Sequence, residues 1–509
     1  MRSADSGRNA VRVGSGILLS RIIGLVRERV FAHYFGSTDA ADAFKAAMKI
    51  PNLLQNLFGE GALSSSFIPV YANLLSSGDR EEANKIARVI GSMLAVILSL
   101  LVLAGVWATP VLIDLIAPGF EGAKREVTIR LVRILFPGVG ILVLSAWCLG
   151  ILNSHRRFFL PYAAPILWNL AMIAVLVGFG GRMQAYDLAG MLAWGAVAGS
   201  LLQFGVQVPT VLRLAGRLRF QIDTVSAGVR TVIRNFIPGV AGRGVNQLSG
   251  YIDVTLASLL AAEGAVAALA YTQTLYLLPV SLFGMSISNA ELPEMASESG
   301  DRETVAAALR RRLQSSMQRV SFFIVPSMAA FLALGDSVVA LLYQTGKFTR
   351  GNVEYVWVVL AGYTVGLQAA TLGRLYTSAF YALRDTRTPF RFASVRVALA
   401  AGFGWLLAFP VSRWLGVPAH LGLVGLTLAA GIAAWVEFAL LRSSMNRRIG
   451  RTGLQASAMV KLWGVSIGAA AAAFGVKCWT GSWHPLLSGA LVLGVFGMCY
   501  FAGAAALRI

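Results

Sequence analysis

A chain of 509 residues that is 56% hydrophobic and only 13% charged cannot clothe a set of soluble domains, whose charged fraction is ~25%. Mean hydropathy is +0.67, and apolar runs of about 20 residues, the length that crosses a bilayer as a helix, recur from end to end. The net charge of +20 would suit nucleic acid in a soluble protein; here the basic residues fall between the apolar runs, so the charge describes membrane topology and excludes a nucleic-acid partner.

In chain order the runs predict helices over 11–33, 41–74, 87–112, 128–152, 159–180, 188–211, 235–260, 267–292, 317–335, 355–381, 393–411, 421–441, 460–476 and 487–507. Lipid offers no partner for unpaired backbone groups, so the spans are helical. The expected fold class is an all-α polytopic membrane protein of about 14 transmembrane helices. Alternate ends carry the arginines and lysines, for example Arg80, Lys85 and Arg88, then Arg156 and Arg157, then Arg384, Arg387 and Arg391, then Arg442, Arg447 and Arg448. The opposite loops hold few, chiefly Lys124, Arg125, Arg182, Lys347, Arg350, Arg413 and Lys477. The positive-inside rule then places both termini in the cytoplasm.

The N-terminal apolar stretch is broken by Arg21, Arg27, Glu28 and Arg29, unlike the clean core of a cleavable signal. Cys148, Cys478 and Cys499 stand singly, and the four histidines are scattered. Zinc, disulfide and Cys/His catalytic readings therefore lack a constellation, and no GxxxxGK[ST] phosphate loop points to nucleotide hydrolysis.

Two stretches repeat at a fixed register. APGF at 117–120 leads to LGILNSHRRFFLPYAAP, and TGKF at 345–348 leads to SAFYALRDTRTPFRFAS. Phe120 to Phe348, Arg156 to Arg384 and Pro161 to Pro389 are each displaced by 228 residues. That shift spans six predicted helices, an even number, so the halves share one orientation in the membrane. Parallel repeats are one design of alternating-access transporter, with the substrate cavity between the halves. The expected division is an N-lobe over 1–220 (helices 1–6), a C-lobe over 221–441 (helices 7–12) and a C-terminal helix pair over 442–509.

Helix 1 places Arg21 and Arg27 in or near hydrocarbon, where an arginine costs ~2.5–3.5 kcal/mol on insertion scales and so demands a cavity or partner. At ~100° per residue, Arg21 and Glu28 share a face while Arg27 lies about 120° from Arg21. The two guanidiniums address one ligand only if the helix bends, with Gly24 between them as the expected point. The alternative is an Arg21–Glu28 salt bridge with Arg27 snorkelling to the interface. Helix 2 carries Asp42, Lys45, Lys49, Asn52, Gln55, Asn56 and Glu60 along a helix expected to be interrupted by Pro51. Helix 7 adds Arg243, Asn246, Gln247 and Asp253, and helix 8 adds Gln273, Asn289 and Glu291. Planar guanidinium forks suit phosphate oxygens, and several around one cavity suit a pyrophosphate.

The run SRIIGLVRERVFAHYFGSTDAADAFKAAMKIPNLLQNLFGEGALSSSFIPVYANLL, with APGF, GILNSHRRFFLPYAAPILWN, NQLSGYIDVTLAS, YQTGKFT and FYALRDTRTP, resembles the MurJ (MviN) lipid II flippases of the MOP exporter superfamily. The resemblance implies fourteen helices in two six-helix lobes, a C-terminal pair forming a groove for a polyprenyl tail, and export of undecaprenyl-pyrophosphate-linked peptidoglycan precursor across the bacterial cytoplasmic membrane. It implies substrate contacts at Arg21, Arg27, Asp42, Asn52 and Glu60. Two family arginines correspond here to Gln55 and Thr274; Gln55 is kept in the expected substrate-binding set, and Arg243 is expected to restore one cation. The implied partners are lipid II, membrane lipids and the cell-wall synthesis machinery. No cofactor is expected, the drive coming from the membrane potential or a monovalent cation. The competing readings are another exporter of the superfamily, for polysaccharide-lipids or drugs, and a polyprenyl-phosphate-processing enzyme.

Overall fold

The computed structural model describes residues 2–216, 220, 221, 223, 226–260, 262–298 and 301–507; inside its helices, the side chains of 2–14, 60, 61, 237–239, 241–246, 248 and 302 lie outside the description. Packing divides the chain into two compact units, Met1–Thr255 and Leu256–Ile509. The first holds α1 (Arg2–Phe35), α2 (Asp39–Phe58), α3 (Glu60–Ser76), α4 (Arg80–Ile116), α5 (Gly122–Ser154), α6 (Phe159–Ala163), α7 (Pro165–Phe179), α8 (Ala185–Gly205), α9 (Val208–Ala215) and most of α10 (Ala227–Ser258). The second holds α11 (Ala265–Pro279), α12 (Ser286–Ala296), α13 (Arg302–Ala333), α14 (Gly335–Tyr343), α15 (Arg350–Thr364), α16 (Leu367–Ala382), α17 (Arg387–Leu406), α18 (Ser412–Trp414), α19 (Gly422–Ile449), α20 (Ala456–Trp479) and α21 (Pro485–Ala506).

Among the described residues, ten helices are long and apolar enough to cross a membrane, or eleven when α15 and α16, bent by 42°, count as one span. The expected spans outside this set fall on α1, on α2 with α3, and on α10. These carry Arg21, Arg27 and Glu28, then Asp42, Lys45 and Lys49, then Arg243 and Asp253. The polytopic all-helical class is thus established, and length and apolarity alone give ten or eleven spans where the sequence predicts fourteen.

Apolar side chains build each core. In the first unit Phe67, Tyr71, Ile86, Leu94 and Trp147 pack α3, α4 and α5 together. Gly91 admits that close approach, since a Cβ there would meet the Trp147 ring at 2.8 Å. In the second unit α20 and α21 pack on α13 through Ala330, Ala473, Val492, Phe496 and Tyr500, and the Tyr500 hydroxyl donates to the Phe322 carbonyl at 2.5 Å.

The repeat is visible as backbone. α5 covers Gly122–Ser154, and α15 begins at Arg350 while α16 ends at Ala382, both limits displaced by 228. Each stretch then ends in the same elbow. Arg156 and Arg384 both have φ 58°, the left-handed region that side chains seldom enter. The N–H of Arg157 donates to Leu152 and that of Arg156 to Asn153; the N–H of Asp385 donates to Phe380 and that of Arg384 to Tyr381. These are the paired bonds of a Schellman helix end, which satisfy carbonyls that the helix leaves open. The buried Phe120 and Phe348 close matching turns through N–H bonds to Ala117 and Thr345.

Candidate functional site

The charged residues of α1 and α2 meet in the first unit. Arg27 Nη2 lies 2.5 Å from Glu28 Oε1, and Lys45 Nζ lies 2.5 Å from Glu28 Oε2. One carboxylate therefore bridges two cations, and its side chain is 10% exposed. Aromatic faces hold both cations from the other side. The Arg27 guanidinium stands 4.8 Å from the Trp168 ring centroid on α7, and Lys45 Nζ stands 4.4 Å from that of Phe31. Such contacts strengthen where water is scarce.

This arrangement differs from the expected Arg21–Glu28 salt bridge. Glu28 takes Arg27 and Lys45, because Lys45 one helix away reaches it and the adjacent guanidinium folds back. Arg21 is exposed, and α1 runs through Gly24 as continuous helix. Pro51 likewise stays inside α2, and the interruption comes at Gly59, between α2 and α3. A Cβ at Gly59 would sit 2.2 Å from the Gln55 carbonyl oxygen, so the chain breaks where only glycine fits. Proline removes one N–H, and α2 continues past that single loss.

Asp42 is 1% exposed and pairs with Lys124 at 2.6 Å; Lys124 also bonds Asp39 at 2.7 Å and lies 4.4 Å from the Phe120 ring centroid. Its place is a buried ion pair that ties α2 to α5. Asn52 and Gln55 are half-buried on α2. Asn56 Nδ2 donates to Gln247 Oε1 at 2.9 Å, and the Tyr251 hydroxyl donates to the Lys49 carbonyl at 2.8 Å, tying α10 to α2. Asp253, 8% exposed, acts electrostatically on Lys49. Glu60 and Arg243 lie on α3 and α10, with side chains outside those described.

In the second unit Gln273 Nε2 donates to the Tyr363 hydroxyl at 3.3 Å, and Thr274 Oγ1 donates to the Ala270 carbonyl at 3.0 Å. Glu291 lies 3.9 Å from Arg312 and 3.8 Å from Arg319. Among the partners that escaped the sequence reading are Trp168 beside Arg27, Lys124 beside Asp42, Asp336 beside Lys477, and the pair Arg396–Glu437 at 2.9 Å on α17 and α19. The rule that flagged helix 1, a charge inside an apolar run, would have found the last.

An all-helical chain with a sequence repeat and, among the described residues, ten or eleven helices long and apolar enough to cross a membrane defines a polytopic membrane protein. Its fold is that of the MOP superfamily: an inward-facing multidrug resistance MATE family transporter of that superfamily matches with a TM-score of 0.66 and 16% identity, over 86% of this chain and 98% of that chain. The family described as Lipid II flippase MurJ matches residues 31–496, and the chain belongs to it. The "Probable lipid II flippase MurJ" of Rhizobium meliloti (strain 1021) is 32% identical over 438 residues, 85% of this chain and 79% of that protein. The "Lipid II flippase MurJ" of Burkholderia cenocepacia is 31% identical over 450 residues, 87% of this chain and 84% of that protein. A solved structure titled "Lipid II flippase MurJ, inward closed conformation" shares the fold with a TM-score of 0.78 and 22% identity, covering 98% of this chain and 100% of that chain.

Proposed function

We infer that the chain is a lipid II flippase of the bacterial inner membrane, moving undecaprenyl-pyrophosphate-linked precursor from the cytoplasmic to the periplasmic leaflet by alternating access, with both termini in the cytoplasm. The observation that carries this reading is the Arg27–Glu28–Lys45 network in a member of that family. One carboxylate against two cations leaves positive charge inside the membrane helices, which an anionic headgroup would neutralise. Arg27 is a planar donor fork held against Trp168, and Arg21 lies on the same helix. In this reading both address the pyrophosphate, with Asn52, Gln55, Glu60 and Arg243 completing the polar contacts. Asp42 acts by fixing Lys124 and the α2–α5 packing.

The reading is one of transport without a covalent step, feeding the peptidoglycan synthesis machinery. An inside-negative potential favours outward passage of an anion by ~2.3 kcal/mol per charge per 100 mV; a monovalent cation on an acidic group is the other available drive. The test is complementation of cells depleted of their own flippase, read as access of an externally added probe to lipid II. The wild-type chain restores access. Arg27→Ala and Arg21→Ala do not, at normal membrane abundance, and Arg27→Lys rescues poorly because the bidentate fork is lost. Restored access with both alanine variants would overturn the assignment.

A further inference from the structure

On the second unit a groove of about 630 Å³ follows α19 from the middle of that span to its C-terminal end. Its inner part is aromatic and its outer part cationic. Trp435 and Phe438 line the inner part, their rings edge to face and 5.7 Å apart, and the Trp435 indole is fixed by donating to the Val365 carbonyl at 2.8 Å. Arg442, Asn446, Arg447 and Arg451 line the outer part. Arg442 is held from behind: its Nε donates to the Thr452 carbonyl at 3.1 Å, and the Thr452 N–H donates to Asn446 Oδ1 at 2.9 Å. Gly453, at φ 151°, makes room for this guanidinium, since a Cβ there would sit 2.5 Å from Arg442 Nη2. The walls belong to α19 and the turn after it, not to α20 or α21, the pair expected to receive the polyprenyl tail.

Among the described residues no Asp or Glu lines the groove, and none of its three arginines is in an ion pair. The next arginine along α19 shows the contrast: Arg448 does not line the groove, and it meets Asp385 at 2.6 Å. Twelve residues separate Trp435 from Arg447, about 18 Å of helix, close to the depth of one leaflet in a hydrocarbon core of ~30 Å. A soluble anion or an acidic peptide would use the arginines and leave the aromatic part empty. A lipid uses both, because its chain packs on the rings while guanidinium forks take phosphate oxygens two at a time, and basic pockets at the ends of membrane helices recognise acidic headgroups. We propose that the groove is a site for an acidic phospholipid of the surrounding membrane, with an acyl chain along Trp435 and Phe438 and the phosphate between Arg442, Arg447 and Arg451. The orientation proposed above puts it in the cytoplasmic leaflet; the site itself rests on the second unit alone, and its occupant is not the cargo.

The test uses the full chain, delipidated in detergent, with phosphatidylglycerol and phosphatidylethanolamine of the same acyl chains as probes and bound lipid counted by native mass spectrometry. The wild-type chain should retain phosphatidylglycerol in preference to phosphatidylethanolamine. Arg447→Gln and Arg451→Gln should each weaken phosphatidylglycerol binding about fivefold, one arginine's share of the attraction to an acidic headgroup, and leave phosphatidylethanolamine unchanged. Both side chains are exposed, so both variants should unfold at the wild-type temperature. Arg391→Gln is the control: it is exposed near the start of α17, which the Arg448–Asp385 pair joins to the end of α19, and it lies outside the groove. An equal loss in that control overturns the site and leaves the general charge of this face as the cause. Unchanged phosphatidylglycerol binding in both groove variants, or equal retention of the two lipids by the wild-type chain, also overturns it. Displacement of bound phosphatidylglycerol by a polyglutamate peptide would overturn the lipid and leave an acidic protein segment as the occupant.

Discussion

The two units solve the same electrostatic problem with different residues. In the first, Glu28 stands between Arg27 and Lys45; in the second, Glu437 stands beside Arg396. In the first unit the carboxylate lies on α1, between a cation of α1 and one of α2; in the second it lies on α19, against a cation of α17. The charge groups thus sit on helices at different places in the chain order. The backbone shows the reverse, with the elbows at Arg156 and Arg384 matching residue for residue.

Removing the carboxylates should break the comparison most strongly. Glu28 is the more enclosed, so Glu28→Gln leaves two half-buried cations facing each other and should cost about 3 kcal/mol. Glu437→Gln, in a more open pair, should cost about 1–3 kcal/mol. Thermal unfolding in detergent reads both, and equal losses would show that burial does not set the difference. The elbows sharpen the comparison from the other side. A left-handed non-glycine residue is strained by about 1–2 kcal/mol, so Arg156→Gly and Arg384→Gly should each be neutral or stabilising by up to about 1 kcal/mol, and alike. Opposite signs in the two units would mean that the arginine side chains, not the backbone, hold the turns.

The smallest effect is one of pH and belongs to one elbow only. The residue after the left-handed arginine is Arg157 in the first unit and Asp385 in the second. Asp385 caps α17: it accepts from the Thr388 hydroxyl at 2.7 Å and from the Arg387 and Thr388 N–H groups at 3.0 Å each, and it meets Arg448 at 2.6 Å. The Thr388 bonds, then Arg448, hold its carboxyl down at about 2. A depressed carboxyl stabilises above its unfolded value and loses that contribution as pH falls toward its folded value. Stability should therefore decline between about 4 and 2, modestly because its Arg448 partner is exposed and screened by solvent. Asp385→Asn should flatten that part of the pH–stability curve, and an unaltered curve would show that the cap does not couple to folding.

The class, most spans and the repeat register were legible because apolar run length, loop charge and a gapless polar match all survive in one dimension. Arg21 and Arg27 were legible as charges in the wrong solvent. Their partners were not, because Lys45 reaches Glu28 from the next helix and Lys124 reaches Asp42 across 82 residues, relations that helix packing alone creates. The break at Gly59 was hidden by Pro51, the stronger breaker by local propensity; what decides it is a carbonyl oxygen 2.2 Å from an absent Cβ. Arg396 was legible by the rule applied to helix 1 and was passed over because attention followed the helices with many polar groups.

The elbows also record ancestry. Loops are where chains most readily gain and lose residues, yet the stretch from Phe120 to Pro161 and its counterpart from Phe348 to Pro389 have drifted by none. A left-handed residue two steps past a helix end cannot slide by one position without moving the strained angle onto a neighbour and misplacing both closing hydrogen bonds. That intolerance turns the bend into a ruler: a segment copied in tandem would keep its spacing here long after its apolar faces and its buried charges had been rewritten.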